Sequence, residues 1–172
     1  MATYPSIAAG QRITGSLLTS MLPLEAWKMG DTPRDTTTTT TADPDLALSV
    51  EATATYRLAG MLAYGVRSDT DLKFGFSAPA SSTLVWHGHC QATGTAGTTG
   101  SAIFDVQSIG TTSYAPGGAA ADNTTIMVVV LHGLLTTSIT AGTFSLNWAQ
   151  NTSNAVAAIL KAGSHLTLKR IN

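Results

Sequence analysis

From Asp45 to the C-terminus, apolar and polar residues alternate with a period of two in short runs separated by Gly, Asp, Asn and Pro clusters. That period puts every second side chain on one face of an extended strand, so it specifies half-buried β-strands rather than helices. Leu46, Leu48 and Val50 alternate with Ala47 and Ser49, and Tyr56, Leu58, Leu62 and Tyr64 keep a register broken at Gly60. Leu72, Phe74 and Phe76 follow, then Leu84 and Trp86 after the turn-like Pro79–Ser82. Residues 103–109 read as another strand with Phe104 and Val106 on one face. Ile126–Leu135 is almost unbroken in its apolar character and rich in β-branched residues, the signature of a strand buried on both faces. Phe144, Leu146 and Trp148 alternate again, and residues 156–160 with Leu166, Leu168 and Arg170 supply a final pair. Eight or nine short strands without intervening helical periodicity predict an all-β antiparallel sandwich.

Charge decides which partners such a sandwich accepts. Charged residues make up 11% of the 172, less than half of the roughly 25% usual for soluble domains. Polarity comes instead from Ser, Asn and 28 Thr. Such a surface suits burial against copies of the same chain. A net charge of −1 gives no electrostatic footprint for nucleic acid. The single cysteine, Cys90, excludes an internal disulfide framework. The longest strictly apolar run, Ile126–Leu131, is far short of the roughly 20 residues that span a bilayer as a helix, so no membrane partner is expected. Met1-Ala2-Thr3-Tyr4-Pro5 lacks the basic-then-apolar order of a secretion signal, which places synthesis and folding in a cytoplasm.

The first 30 residues are different. Ile13, Leu17, Leu18 and Met21 fall on one face of a helix predicted between Gly10 and Pro23, with Ser6 or Gly10 as its cap and Gly15 weakening its middle. A lone helix of this length is marginal in water and needs a surface to dock on. Residues 1–30 are therefore read as an arm whose anchors are Ile13, Leu17, Leu18, Met21 and Trp27. Residues 31–45, with six consecutive threonines at 36–41, are read as an extended connector, and 46–172 as the sandwich domain.

Catalytic signals are weak. His87 and His89 point to one side of a strand and Cys90 to the other, but a structural zinc site needs four ligands. Asp43 with Asp45, and Asp69 with Asp71, sit in turn-like sequence where Asp bonds its own backbone. No nucleophile elbow or phosphate-binding glycine loop is present in the sequence. The expectation is a non-enzymatic protein without metal or cofactor.

Three segments carry a resemblance. Tyr4-Pro5 precedes Ala9-Gly10-Gln11-Arg12; Lys28 and Asp31-Thr32-Pro33-Arg34 lead through the Thr run to Ala42-Asp43-Pro44-Asp45-Leu46 and Tyr56; Ala141-Gly142-Thr143 leads through Trp148-Ala149-Gln150 and Ala162-Gly163-Ser164 to Leu168 and Arg170. This layout resembles small virion structural proteins, of decoration or minor tail type, from tailed phages that infect actinobacteria. The resemblance implies a jelly-roll-like β-sandwich, a homotrimer, and an arm that attaches to the major capsid protein or another virion protein on the particle surface. Within it, a head decoration protein and a tail-tip protein that binds a host surface glycan are the competing roles. The second predicts an exposed aromatic patch that includes Tyr114 and Trp86.

Overall fold

The computed structural model describes residues 7–91, 102–103, 106–110, 114–118 and 121–172. Among the described residues, one short helix, α1 (Gly15–Ser20), precedes twelve strands. These are β1 (Leu24–Trp27), β2 (Thr32–Arg34), β3 (Thr41–Val50), β4 (Thr55–Gly65), β5 (Leu72–Ser77) and β6 (Thr83–Gln91), followed by β7 (Ala102–Ile103), β8 (Gln107–Ser108), β9 (Ile126–Thr136), β10 (Gly142–Gln150), β11 (Ala158–Leu160) and β12 (His165–Arg170). The chain is all-β, built from two antiparallel sheets. The larger runs β1-β12-β4-β9-β6-β7, with β11 beside β4, β2 beside β11 and β8 beside β6; the smaller runs β3-β10-β5.

The alternating residues form the seam between the sheets. Leu46, Leu48, Phe74, Phe76, Phe144, Leu146 and Trp148 from the small sheet pack with Leu58, Leu62, Trp86, Val129, Leu131, Leu166 and Leu168 from the large one. Phe76 meets Trp86 edge-on at 5.0 Å and stacks on Phe144 at 5.0 Å, an arrangement that ring quadrupoles favour. Tyr114 closes the side between β5 and β6. Its carbonyl accepts from the Phe74 N–H and its ring lies 5.2 Å from Phe74 and 5.0 Å from Trp86.

Several local expectations change. The helix spans Gly15–Ser20 rather than 10–23, and Thr14 caps it by accepting from the Leu17 N–H at 3.2 Å. Gly15 is thus its first residue, not its weak centre. The stretch read as a connector over 31–45 contributes β2 and the first half of β3. Arg34 explains why: its guanidinium donates to the carbonyls of Thr41, Ala42 and Trp148 and lies 4.1 Å from the Trp148 ring centroid, tying these strands together. Asp43 lies buried in β3 rather than in a turn, and its Oδ1 accepts the nearby backbone N–H groups of Asp45 and Leu46, as expected of it. The strand expected over 103–109 divides into β7 and β8, and Phe104 lies outside the described residues. Last, β9 is buried on one face only: Val129, Leu131 and Leu135 are inside, while Ile126, Val128, Val130 and Leu134 are exposed.

Candidate functional site

Strand pairing places the outward side chains of the large sheet in straight cross-strand rows. One row reads Trp27, His165, Met61, Val130, His89. The next reads Glu25, Thr167, Ala59, His132, His87, and a third Lys169, Arg57, Leu134, Val85. Directly opposed residues in such rows are near enough to act as one surface. The chain has four histidines, and all four stand here.

Exposed aliphatic side chains stand on both sides of the row that holds His132 and His87. Val85 is 57% exposed, Val128 47% and Leu134 45%, and Ile126 and Val130 are open as well. Contiguous apolar surface rimmed by polar groups marks an interaction site. The rim carries Glu25 and Lys169 near the β1–β12 side, and Trp27 stacks on His165 with ring centroids 5.3 Å apart. Val85, Val128, Val130, Leu134 and His132 are interaction candidates that the residue pattern alone did not single out. The signal was present: β9 is apolar on both sides, and an antiparallel strand of that kind needs a cover on each.

The five arm candidates separate in space. Leu17, Leu18 and Met21 belong to the single turn-and-a-half at α1, whose residues are all at least partly exposed. Ile13 precedes it and is 63% exposed, and Leu18, Met21, Leu22 and Met29 are also open. The helix lies over the end of the sandwich, where Thr19, Ser20 and Leu22 line a shallow cleft with Leu24, Tyr56 and Leu168. Trp27 stands apart on the outer sheet face. The arm therefore offers two surfaces, an exposed apolar helix and an exposed indole.

His87 and His89 share the outward face and Cys90 faces in, as the strand period requires. Among the described residues, no group of three or more His, Cys, Asp and Glu side chains converges as metal ligands. Burial pushes the Cys90 thiol up, outweighing the hydrogen bond to the Tyr114 hydroxyl at 3.6 Å. Such a thiol is a packing group rather than a nucleophile. Tyr114 and Trp86 are 3% and 1% exposed, so neither forms the exposed aromatic patch that a glycan-binding tip requires. None of the described helices is long and apolar enough to cross a membrane.

No family model matches the chain, and neither does any curated protein sequence.

Proposed function

We propose that this chain is a non-enzymatic structural protein of a tailed-phage virion, a decoration protein on the head exterior that acts as a homotrimer. Its outer sheet face joins the copies, and its arm attaches to the major capsid protein or a neighbouring virion protein. In this reading it is made and assembled in the cytoplasm of the bacterial host.

The observation that carries the reading is the uncovered apolar face of β9 and its neighbours. Five of its aliphatic side chains are 41–57% exposed among the described residues. In a trimer this face packs on a different part of the next copy, a heterologous contact that closes into a ring after three steps. The fold reading is a jelly roll. Its support is the strand order β1-β12-β4-β9 in one sheet and β3-β10-β5 in the other, with the chain crossing between sheets at β2–β3, β3–β4, β4–β5, β5–β6, β9–β10 and after β10. That winding is used by capsid and lectin domains. Low charge suits surfaces shared among many copies, and three linked arms raise apparent affinity without any new contact.

The test is gold-labelled antibody against the chain on intact particles, viewed by electron microscopy. Label over the head supports decoration. Label confined to the tail end replaces it with a tail role, and no label on any particle removes the virion reading altogether.

A further inference from the structure

At the root of the arm, a lysine is buried among carboxylates. Lys28 directly follows β1 and is held in the large sheet, its N–H donating to Ser164 O and its carbonyl accepting from Gly163. Its Nζ lies 3.1 and 3.0 Å from the two oxygens of Asp43 and 3.0 Å from Oδ2 of Asp45. The side chains of Lys28 and Asp43 are fully buried, whereas that of Asp45 is 38% exposed. Trp148 Nε1 donates to Asp43 Oδ2 at 3.0 Å, and the Asp45 and Leu46 N–H groups donate to Oδ1 at 3.0 and 3.2 Å.

We propose that Lys28 and Asp43 condense to an intramolecular amide, a self-formed crosslink between the two sheets. A buried ion pair gains little net stability from its attraction, because both charges have lost their water. The neutral pair differs from it by one proton moved along a 3.0 Å hydrogen bond. In that form the amine lone pair adds to Cγ of Asp43. The developing oxyanion on Oδ1 already faces two backbone donors. Asp45 takes the second proton from Nζ and passes it to the departing hydroxyl, the Cγ–Oδ2 bond breaks, and water leaves on the exposed side of Asp45. Ammonium and carboxylate become amide and water, with no oxidant or external reagent. Amide formation is unfavourable between free groups in water, but fixed neighbours in a dry site reach effective concentrations of roughly 10⁵–10⁸ M.

The proposal is independent of the virion reading. It gives the chain a covalent staple from β1 to β3 where the arm leaves the domain. The experiment is intact-mass spectrometry of the purified full-length chain under denaturing conditions, followed by tryptic mapping. The expected result is a mass lower than the sequence mass by one water, with residues 13–34 recovered joined to residues 35–57 and cleavage after Lys28 blocked. Asp43→Ala restores the sequence mass. Asp45→Asn, at a half-exposed position, slows crosslinking roughly 10²-fold, the scale of a lost general acid–base group. An unreduced mass for the folded wild-type chain overturns the proposal, as does a water loss that maps to any other residue. Crosslinking at the wild-type rate in Asp45→Asn overturns the relay assigned to Asp45.

Discussion

His132 of β9 stands directly opposite His87 of β6, their ring centroids 5.6 Å apart, on a face that otherwise presents Val85, Val128, Val130 and Leu134. The two imidazoles lie in the row between Val130 and Leu134, among aliphatic side chains rather than in a pocket of ligands. Contact between flat, weakly charged surfaces is the chemistry this arrangement supports.

Breaking that contact should not unfold the domain. Val130 and Leu134 are 41% and 45% exposed, so Val130→Glu with Leu134→Glu leaves the core intact. In an assembled state both carboxylates lose water that Arg57, opposite position 134, replaces only in part, at a cost of several kcal/mol. Self-association should therefore weaken by at least ~100-fold, each factor of ten being about 1.4 kcal/mol. Light scattering at micromolar concentration checks this: trimer mass for the wild type, monomer mass for the double variant, with unchanged thermal unfolding of the monomer. A monomeric wild type contradicts the self-association on which the proposed function depends.

The tight fit around Tyr114 predicts a different kind of loss. A Cβ added at Gly88 would come within 2.8 Å of Val129 Cγ1 and 2.9 Å of the Tyr114 hydroxyl. The Tyr114 ring is held between Phe74 and Trp86, and its hydroxyl donates to the Gly88 carbonyl, so it has little freedom to move away. Gly88→Ala should cost about 1–3 kcal/mol by urea unfolding, the usual range for overpacking a filled core. An unchanged midpoint would show that this side of the sandwich yields easily.

Much of this architecture is legible in the residues, and the exceptions have physical causes. Period-two alternation marks Leu46–Val50, Leu72–Phe76 and Phe144–Trp148 because each strand has one wet and one dry face. It fails at β9, where both faces are apolar and the sequence gives no hint of which cover lies inside the chain. It also fails at Asp43. An Asx turn and a buried ion pair both begin with an Asp followed by free backbone N–H groups, and only the tertiary approach of Lys28 and Trp148 separates them. Arg34 was silent for the same reason: its partners Thr41, Ala42 and Trp148 come from two other strands.

Asp69 supplies a titration with a definite direction. Arg67 donates Nε to Oδ1 at 2.9 Å and a terminal nitrogen to Oδ2 at 2.8 Å, and these bonds hold the carboxyl down at about 2, below its usual 3.8. A depressed carboxyl stabilises the fold fully above the ordinary value, and the contribution is lost as pH falls through the folded value. The pair is exposed, so the effect is read best at the residue itself. Carbon-detected NMR should place the Asp69 midpoint about 2, and Arg67→Gln should return it towards 3.8. A wild-type midpoint already near 3.8 would mean that the pair does not persist in solution.

The arm is the element whose removal separates folding from attachment. The helix α1 buries none of its own residues, and its caps are local bonds: Thr14 to the Leu17 N–H, and the Thr19 and Ser20 hydroxyls back to the carbonyls of Gly15 and Leu17. A helix of six residues is unstable alone, so little of the domain's stability passes through it. A chain that starts at Pro23 keeps β1 and every strand after it. Its unfolding temperature should fall by no more than about 2–4 °C, the shift equivalent to about 1 kcal/mol in a domain of this size. If Ile13, Leu17, Leu18 and Met21 are the anchors, the same truncation should abolish co-sedimentation with particles that lack the protein, while full-length chain rebinds. Rebinding by the truncated chain would move the attachment surface to Trp27 and the sheet face beside it.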